Sequence, residues 1–344
     1  MIPKEQNEPT IERFFKVRIT SVPVDIPLHF DMFLLVGDKP VHFRKPGDCL
    51  TKDRLRSLSK HGATEFLIPT DQREAYLDII RKSVADPDME RSQKARIIKE
   101  SAFVHVEDLF TKKDIKHVVE SSKNLVQEMV NFVSEDVESA VSLMRLSMHD
   151  YYTYNHCVDV AVYAIALAKK LFGNDKAMLF HAGLGGLLHD LGKRKLDKKI
   201  INKTTPLTTE EWEEIKKHPD YGVEFLKDVK AIPEAAKQVV HQHHENFDGS
   251  GYPRGLSGEE ISKLSRVVMI ADVFDALTTD RSYHKAVTPT EALNTMFAMQ
   301  PGKFDPYLFK TFNKNFEQRG SIELPKDFDP CQARHMVSQE DPED

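Results

Sequence analysis

Apolar residues recur along this chain with two different periods, and the change of period divides it. Phe14 to Val22 and Phe30 to Val36 are rich in β-branched and aromatic residues and predict two strands. Gly37-Asp38 supplies a hairpin turn into a third strand around Val41-His42-Phe43. Glu65 to Ile68 predicts a fourth. Thr51 is placed to cap a short helix that turns Leu55 and Leu58 inward and stops at Gly62. Thr70 or Asp71 is placed to cap a longer one, with Tyr76, Ile79 and Ile80 on one face. Residues 13–85 therefore predict a small α+β unit.

Asp86-Pro87-Asp88 marks a boundary, and beyond it the period becomes helical. Val118, Leu125, Met129 and Phe132 recur at helical spacing, as do Val137, Val141, Met144 and Met148. That stripe reads as core or interdomain packing, with a dimer seam or signalling helix as the other reading. From Tyr151 to about Gly320 the pattern is almost wholly helical. One helix carries His156, and a second runs from about Asp175 to His189. A third starts near Thr208-Thr209, with Glu210 and Glu211 in the first turn, where the helix dipole favours acids. The expected fold class is mainly α: an all-helical C-terminal bundle, a small N-terminal α+β domain and a helical connector. The expected boundaries are 1–88, 89–138 and 139–320, with an acidic tail over 321–344.

Composition narrows the function. A net charge of −6 gives no general electrostatic grip on nucleic acid or an anionic membrane. A phosphate-bearing substrate would need its positive charge locally. Cys49, Cys157 and Cys331 are too scattered for a disulfide framework or a thiolate metal site. No apolar run approaches the roughly 20 residues that span a bilayer, and the first residues have no signal-peptide core. A cytoplasmic protein is expected.

Histidine changes the picture. Of 15 histidines, eight lie between His149 and His244 inclusive. His156, His189-Asp190, His218, His243-His244 and Asp272 sit in or beside apolar helical segments. An Asp after Val267-Val268-Met269-Ile270-Ala271 is expected to be buried, so it must be paired, hydrogen-bonded or metal-bound. A lone buried His is more often a satisfied core residue than a ligand. Five histidines and two aspartates spread over one helical domain would be costly to bury without a cation. His243-His244 is followed by Glu245, Asn246, Phe247 and Asp248, then by the turn Gly249-Ser250-Gly251-Tyr252-Pro253. Its glycines allow a sharp turn and a close approach to a ligand.

Residues from about Ser139 to Phe316 resemble the HD-GYP domain, the bacterial branch of the HD phosphohydrolases that hydrolyses cyclic di-GMP. The matching segments are Asn155-His156, His189-Asp190-Leu191-Gly192-Lys193, His218-Pro219-Asp220-Tyr221-Gly222, His243 through Leu256, Ala271 through Leu277, Asp280-Arg281-Ser282-Tyr283 and Phe304-Asp305-Pro306. The resemblance implies a first metal held by His156, His189, Asp190 and Asp272. It implies a second held by His218, His243 and His244, with Asp190 bridging. The N/O donor set suits iron, the usual metal of the family, with manganese as the alternative. Two cations roughly 3.5–4 Å apart can share a bridging hydroxide for in-line attack on a phosphoryl group. Lys193 then assists at the phosphate or the departing ribose oxygen, with a helix C-cap as its bland alternative. Tyr252 and Gly251 meet the nucleotide, or Tyr252 simply packs under its own turn. Arg281 clamps a phosphate, or pairs with Asp280 or Asp275. Glu245 is a candidate to orient a ligand imidazole.

Two departures from the family pattern matter. Some members bind a third metal through a Glu at the position of Tyr152, so two metals are expected here. His284 replaces a second basic residue and weakens the expected grip on the other phosphate. The expected activity is a metal-dependent cyclic di-GMP phosphodiesterase yielding pGpG, with GMP as a further product. The alternative is a cyclic di-GMP receptor or protein-interaction scaffold that keeps the metal site. The N-terminal unit is open to a small ligand, a protein partner, dimerisation or a passive role.

Overall fold

A computed structural model describes residues 13–112, 114–147, 155–203, 205–279 and 286–317. They form two compact units divided between Val104 and His105.

The first unit is built on an antiparallel sheet of β1 (Phe14–Arg18), β2 (Met32–Val36), β3 (Lys39–Arg44) and β4 (Glu65–Pro69), in the order β1-β4-β2-β3. Gly37, at φ 60°, makes the β2–β3 turn, a conformation that costs glycine nothing. Helix α1 (Lys52–Lys60) begins where the Thr51 hydroxyl accepts the Arg54 N–H, as its sequence predicts. Helix α2 (Arg73–Ala85) starts later than expected, after a 3-10 turn over Thr70–Gln72, and no side chain caps it. The reason is tertiary. The Gln72 amide is tied to Asp31, accepting its N–H at 2.6 Å and donating to its carboxylate at 2.8 Å. Phe15, Val17, Phe30, Phe66, Ile68, Tyr76 and Ile80 form the core of this unit. The division falls within α3 (Arg91–Thr111).

Among its described residues the second unit is helical. It comprises α4 (Ile115–Glu135), α5 (Val137–Ser147), α6 (Asn155–Phe172), α7 (Lys176–Leu188), α8 (Lys198–Ile201), α9 (Thr209–Ile215), α10 (His218–Leu226), α11 (Glu234–Gln242), α12 (Lys263–Thr278), α13 (Pro289–Lys303) and α14 (Pro306–Glu317). Val118, Leu125, Met129 and Phe132 are all buried, so the α4 stripe is core. The side chains of Asp175 and Thr208 cap α7 and α9.

Close packing of α6 on α7 positions the site. A Cβ on Gly186 would lie 3.0 Å from the Ala161 Cα, so the two backbones nearly touch there. Helix α12 is buried almost throughout, as an apolar-all-round helix must be. Its one buried cation, Arg266, donates twice to Glu259, at 2.9 and 2.7 Å, and once to Asp305 at 2.7 Å. Asp305 in turn accepts the N–H groups of Tyr307 and Leu308 and starts α14. This gives the Phe304-Asp305-Pro306 segment its structural use. Among the described residues, no helix is long and apolar enough to cross a membrane.

Candidate metal centre

Helix ends build the centre. His156 lies in the first turn of α6, and His218 opens α10. His189 and Asp190 follow the last turn of α7, and His243 and His244 follow α11. Asp272 projects from within α12. All seven predicted ligands come together, in two groups. Asp190, His218, His243 and His244 present one donor atom each within 4.8 Å of one another, and so do His156, His189 and Asp272.

Asp190 lies between the groups. Its Oδ1 is 3.5 Å from His218 Nε2, while its Oδ2 is 3.8 Å from His156 Nε2 and 3.4 Å from His189 Nε2. Asp272 Oδ1 is 3.1 Å from His156 Nε2 and 3.8 Å from His189 Nε2. Lys193 Nζ donates to Asp190 Oδ2 at 2.9 Å, so its head faces the centre.

The tautomers follow from the outer partners. A carbonyl oxygen only accepts, so Nδ1 of His189, His218 and His243 must donate to Gly186, Ile215 and Val240 respectively, at 2.7, 2.8 and 2.9 Å. Nδ1 of His156 donates to Asp275 Oδ2 at 2.7 Å. Each of these four rings then turns an Nε2 lone pair inward. Two of those lone pairs, on His218 and His243, face each other at 3.1 Å. His189 Nε2 and Asp190 Oδ1 are buried with no hydrogen-bond partner among the described residues. Facing lone pairs and an orphaned carboxylate oxygen are costly by themselves and favourable around cations. The donors present therefore fit metal ions.

Charge states agree with that fit. Burial pushes His218 down to about 4, and pushes His243 well below the usual imidazole range, helped by its neighbours His189 and His218. Burial, with His243 and His218 beside it, also lowers His244 strongly. These rings are neutral at pH 7 and free to ligate. Burial alone would raise Asp190 and Asp272. For Asp190 it is outweighed by the Lys193 ammonium held against it, so that carboxylate stays ionised.

The loop after His244 folds back over this centre. The Tyr252 N–H donates to the His244 carbonyl at 3.1 Å, and the Tyr252 ring stacks on the His244 imidazole at 4.7 Å and 22°. A Cβ on Gly251 would lie 2.1 Å from the Asn246 nitrogen and 2.4 Å from the His244 oxygen, so glycine is required for that return. Asp248 accepts from the Ser250 N–H and hydroxyl and so fixes the turn. Among the described residues Glu245 makes no hydrogen bond to an imidazole. Its carboxylate accepts the N–H groups of Arg254 and Leu256. Arg281, His284 and Tyr152 lie outside the described residues.

Two residues near the centre were not singled out from sequence for the roles they hold here. Trp212 is buried with its ring edge-on to Tyr252 at 6.2 Å. Asp275 supports His156, where sequence reasoning offered it to Arg281. Its spacing of three from Asp272 puts both carboxylates on one face of α12, which is the signal that was available. Asp275→Asn is expected to weaken metal binding about 10- to 100-fold with the fold intact, read by competition with a chelator.

A family model described as an HD domain matches residues 120–308, more than half of the chain. The chain belongs to the HD domain family. The chain is 40% identical over 193 residues to a cyclic di-GMP phosphodiesterase of Pseudomonas aeruginosa, covering 56% of this chain and 46% of that protein. It is 34% identical over 163 residues to the 3'3'-cGAMP-specific phosphodiesterase 3 of Vibrio cholerae, covering 47% and 35%. The chain thus spans less than half the length of either relative. An HDG"Y"P protein from Bdellovibrio bacteriovorus shares the fold, with a TM-score of 0.67 at 23% identity over 88% of this chain and 99% of that one.

Proposed function

We propose that this chain is a metal-dependent phosphodiesterase that hydrolyses cyclic di-GMP to linear pGpG, with residues 139–320 as its catalytic domain. The observation that carries the proposal is the Asp190 carboxylate, whose two oxygens face the two ligand groups separately. A carboxylate so placed suits two cations, iron first and manganese as the alternative. When bound, such metals supply Lewis acidity toward a phosphodiester and lower the pKa of water. The similarity to proteins named as cyclic di-GMP phosphodiesterases supports this substrate.

The chain's own residues then have these parts. Lys193, anchored on Asp190, neutralises charge on the scissile phosphate or protonates the departing ribose oxygen. Tyr252 presents its ring beside the centre, where a guanine can stack on it or accept its hydroxyl. Gly251 lets the loop approach closely, Arg281 clamps a phosphate, and His284 grips the second one weakly. Tyr252→Ala is expected to leave metal content unchanged and to weaken nucleotide binding about tenfold or more, read by calorimetry. Unchanged affinity would reduce Tyr252 to packing.

A second reading, a receptor or scaffold that binds cyclic di-GMP without turning it over, is favoured by His284 where a stronger cation is usual. One experiment separates the two. Metal content is measured on protein purified without chelator, and hydrolysis of cyclic di-GMP and 3'3'-cGAMP is followed on the same sample with and without air. About two irons or manganeses per chain with pGpG appearing supports the enzyme. Two metals and intact nucleotide supports the receptor. Cleavage of 3'3'-cGAMP alone overturns the substrate.

A further inference from the structure

We propose that Glu245 is the positioning residue that holds the Gly-Ser-Gly-Tyr-Pro loop against the metal centre. Its carboxylate is fully buried, and both oxygens are spent on the loop. Oε1 accepts the Arg254 N–H at 2.8 Å, and Oε2 accepts the Leu256 N–H at 2.9 Å. Those amides follow directly after Tyr252-Pro253, on the returning limb. A buried carboxylate accepting two backbone N–H groups is a strong tie, because removing it leaves its two donors without that acceptor.

The loop has other ties, among them the Tyr252 N–H that donates to the His244 carbonyl at 3.1 Å. Asp248 and Asn246 organise its tip through Ser250, at an exposed position. Phe247 and Asp248 donate N–H groups to the Lys303 and Gly302 carbonyls, which fixes the outgoing limb to the end of α13. Glu245 joins the base of the loop to the limb beyond Pro253, beside the Gly258 N–H that donates to the Phe247 carbonyl at 2.8 Å and the bridge between Asp248 and Ser257. The backbone arrangement has a consequence for geometry. His244 supplies a metal-facing imidazole, and the next residue supplies the clasp. Together with the Tyr252 N–H bond to the His244 carbonyl, this places the Tyr252 ring in register with the His244 ring on which it stacks. Glu245 acts on nucleotide affinity through Tyr252 and not on the metals, since Nδ1 of His189, His218 and His243 is already held by backbone carbonyls.

The test uses the metal-loaded full chain with Glu245→Gln and Glu245→Ala. Gln keeps one acceptor and turns a donor toward the other amide. The first readout is hydrogen exchange at the Arg254 and Leu256 amides. Both are expected to be protected in the native chain and to exchange about 10- to 100-fold faster in the variants. The second is the emission of Trp212, the only tryptophan of the chain, which is expected to shift as the Tyr252 ring moves away. The third is metal per chain, expected to be unchanged. The fourth is KM for cyclic di-GMP, expected to rise about tenfold with kcat within about threefold. Only this last arm rests on the phosphodiesterase reading, so a chain that does not cleave cyclic di-GMP leaves the first three intact.

Gly251→Ala provides an independent route. Its Cβ would strike the 244–246 backbone and lift the loop with Glu245 in place. It is expected to reproduce the exchange and emission changes even if the Glu245 variants fail to fold. Unprotected Arg254 and Leu256 amides in the native chain would overturn the proposal. So would loss of metal in Glu245→Gln with exchange and Trp212 emission unchanged, which would assign Glu245 to the ligands.

Discussion

Asp190→Ala is expected to lose both metals and all turnover together. One carboxylate serves both ligand groups, so its removal leaves His156 and His189 on one side and His218 on the other without their shared anion. It also removes the Oδ2 anchor of the Lys193 ammonium. A cation left near these sites would then be repelled by that ammonium rather than attracted by the pair. The loss of metal affinity is expected to exceed the roughly 100-fold that removal of an outer hydrogen-bond partner costs. Elemental analysis after gel filtration reads the effect directly. A variant that retained two metals per chain would refute the bridging role, whatever its activity. His189→Ala is likewise expected to lose metal and activity together.

Gly192→Ala is expected to be the most destabilising single methyl in the second unit. The Cβ would lie 1.8 Å from the His218 carbonyl oxygen and 2.6 Å from the Gly222 nitrogen. Both obstacles are backbone, so no rotamer change relieves them. The turn after Asp190 and the start of α10 would have to separate. Overpacking of this kind costs about 3 kcal/mol or more. For a unit of this size that is a fall of about 10 °C in Tm, measurable by calorimetry. The displacement also carries His218 away from Asp190, so metal bound by the His218 group should fall even at temperatures where the variant is folded. A Tm within 2 °C of the native chain would mean that the close approach does not exist.

Much of this was legible because local chemistry decided it. Thr51, Asp175 and Thr208 cap the helices that follow them because a side-chain oxygen needs only the N–H groups two or three residues on. The clustering of five histidines and two aspartates was legible because such residues inside apolar helical runs are costly without a cation. What was not legible depended on which elements meet. Gln72 leaves α2 uncapped because Asp31, far away in sequence, claims its amide. Asp275 is given to His156 because α6 packs against α12, a pairing that no local pattern encodes. Glu245 stands next to a ligand in sequence, which suggests an imidazole partner. The loop returns over it and takes both oxygens first.

The three Nδ1 donations to Gly186, Ile215 and Val240 bear on how this centre tolerates mutation. Each carbonyl belongs to the helical stretch just before its histidine, three residues earlier. Every amino acid carries that oxygen, so these supports survive side-chain substitution and fail only if the helix end itself is remodelled. His156 is held differently, by the Asp275 side chain. A saturation scan of the supporting positions should therefore be uneven. Ile215 and Val240 should accept other apolar residues with their histidines still oriented, while position 275 should accept almost nothing. The centre can drift in sequence around its histidines without losing their aim, because most of that aim is written in backbone.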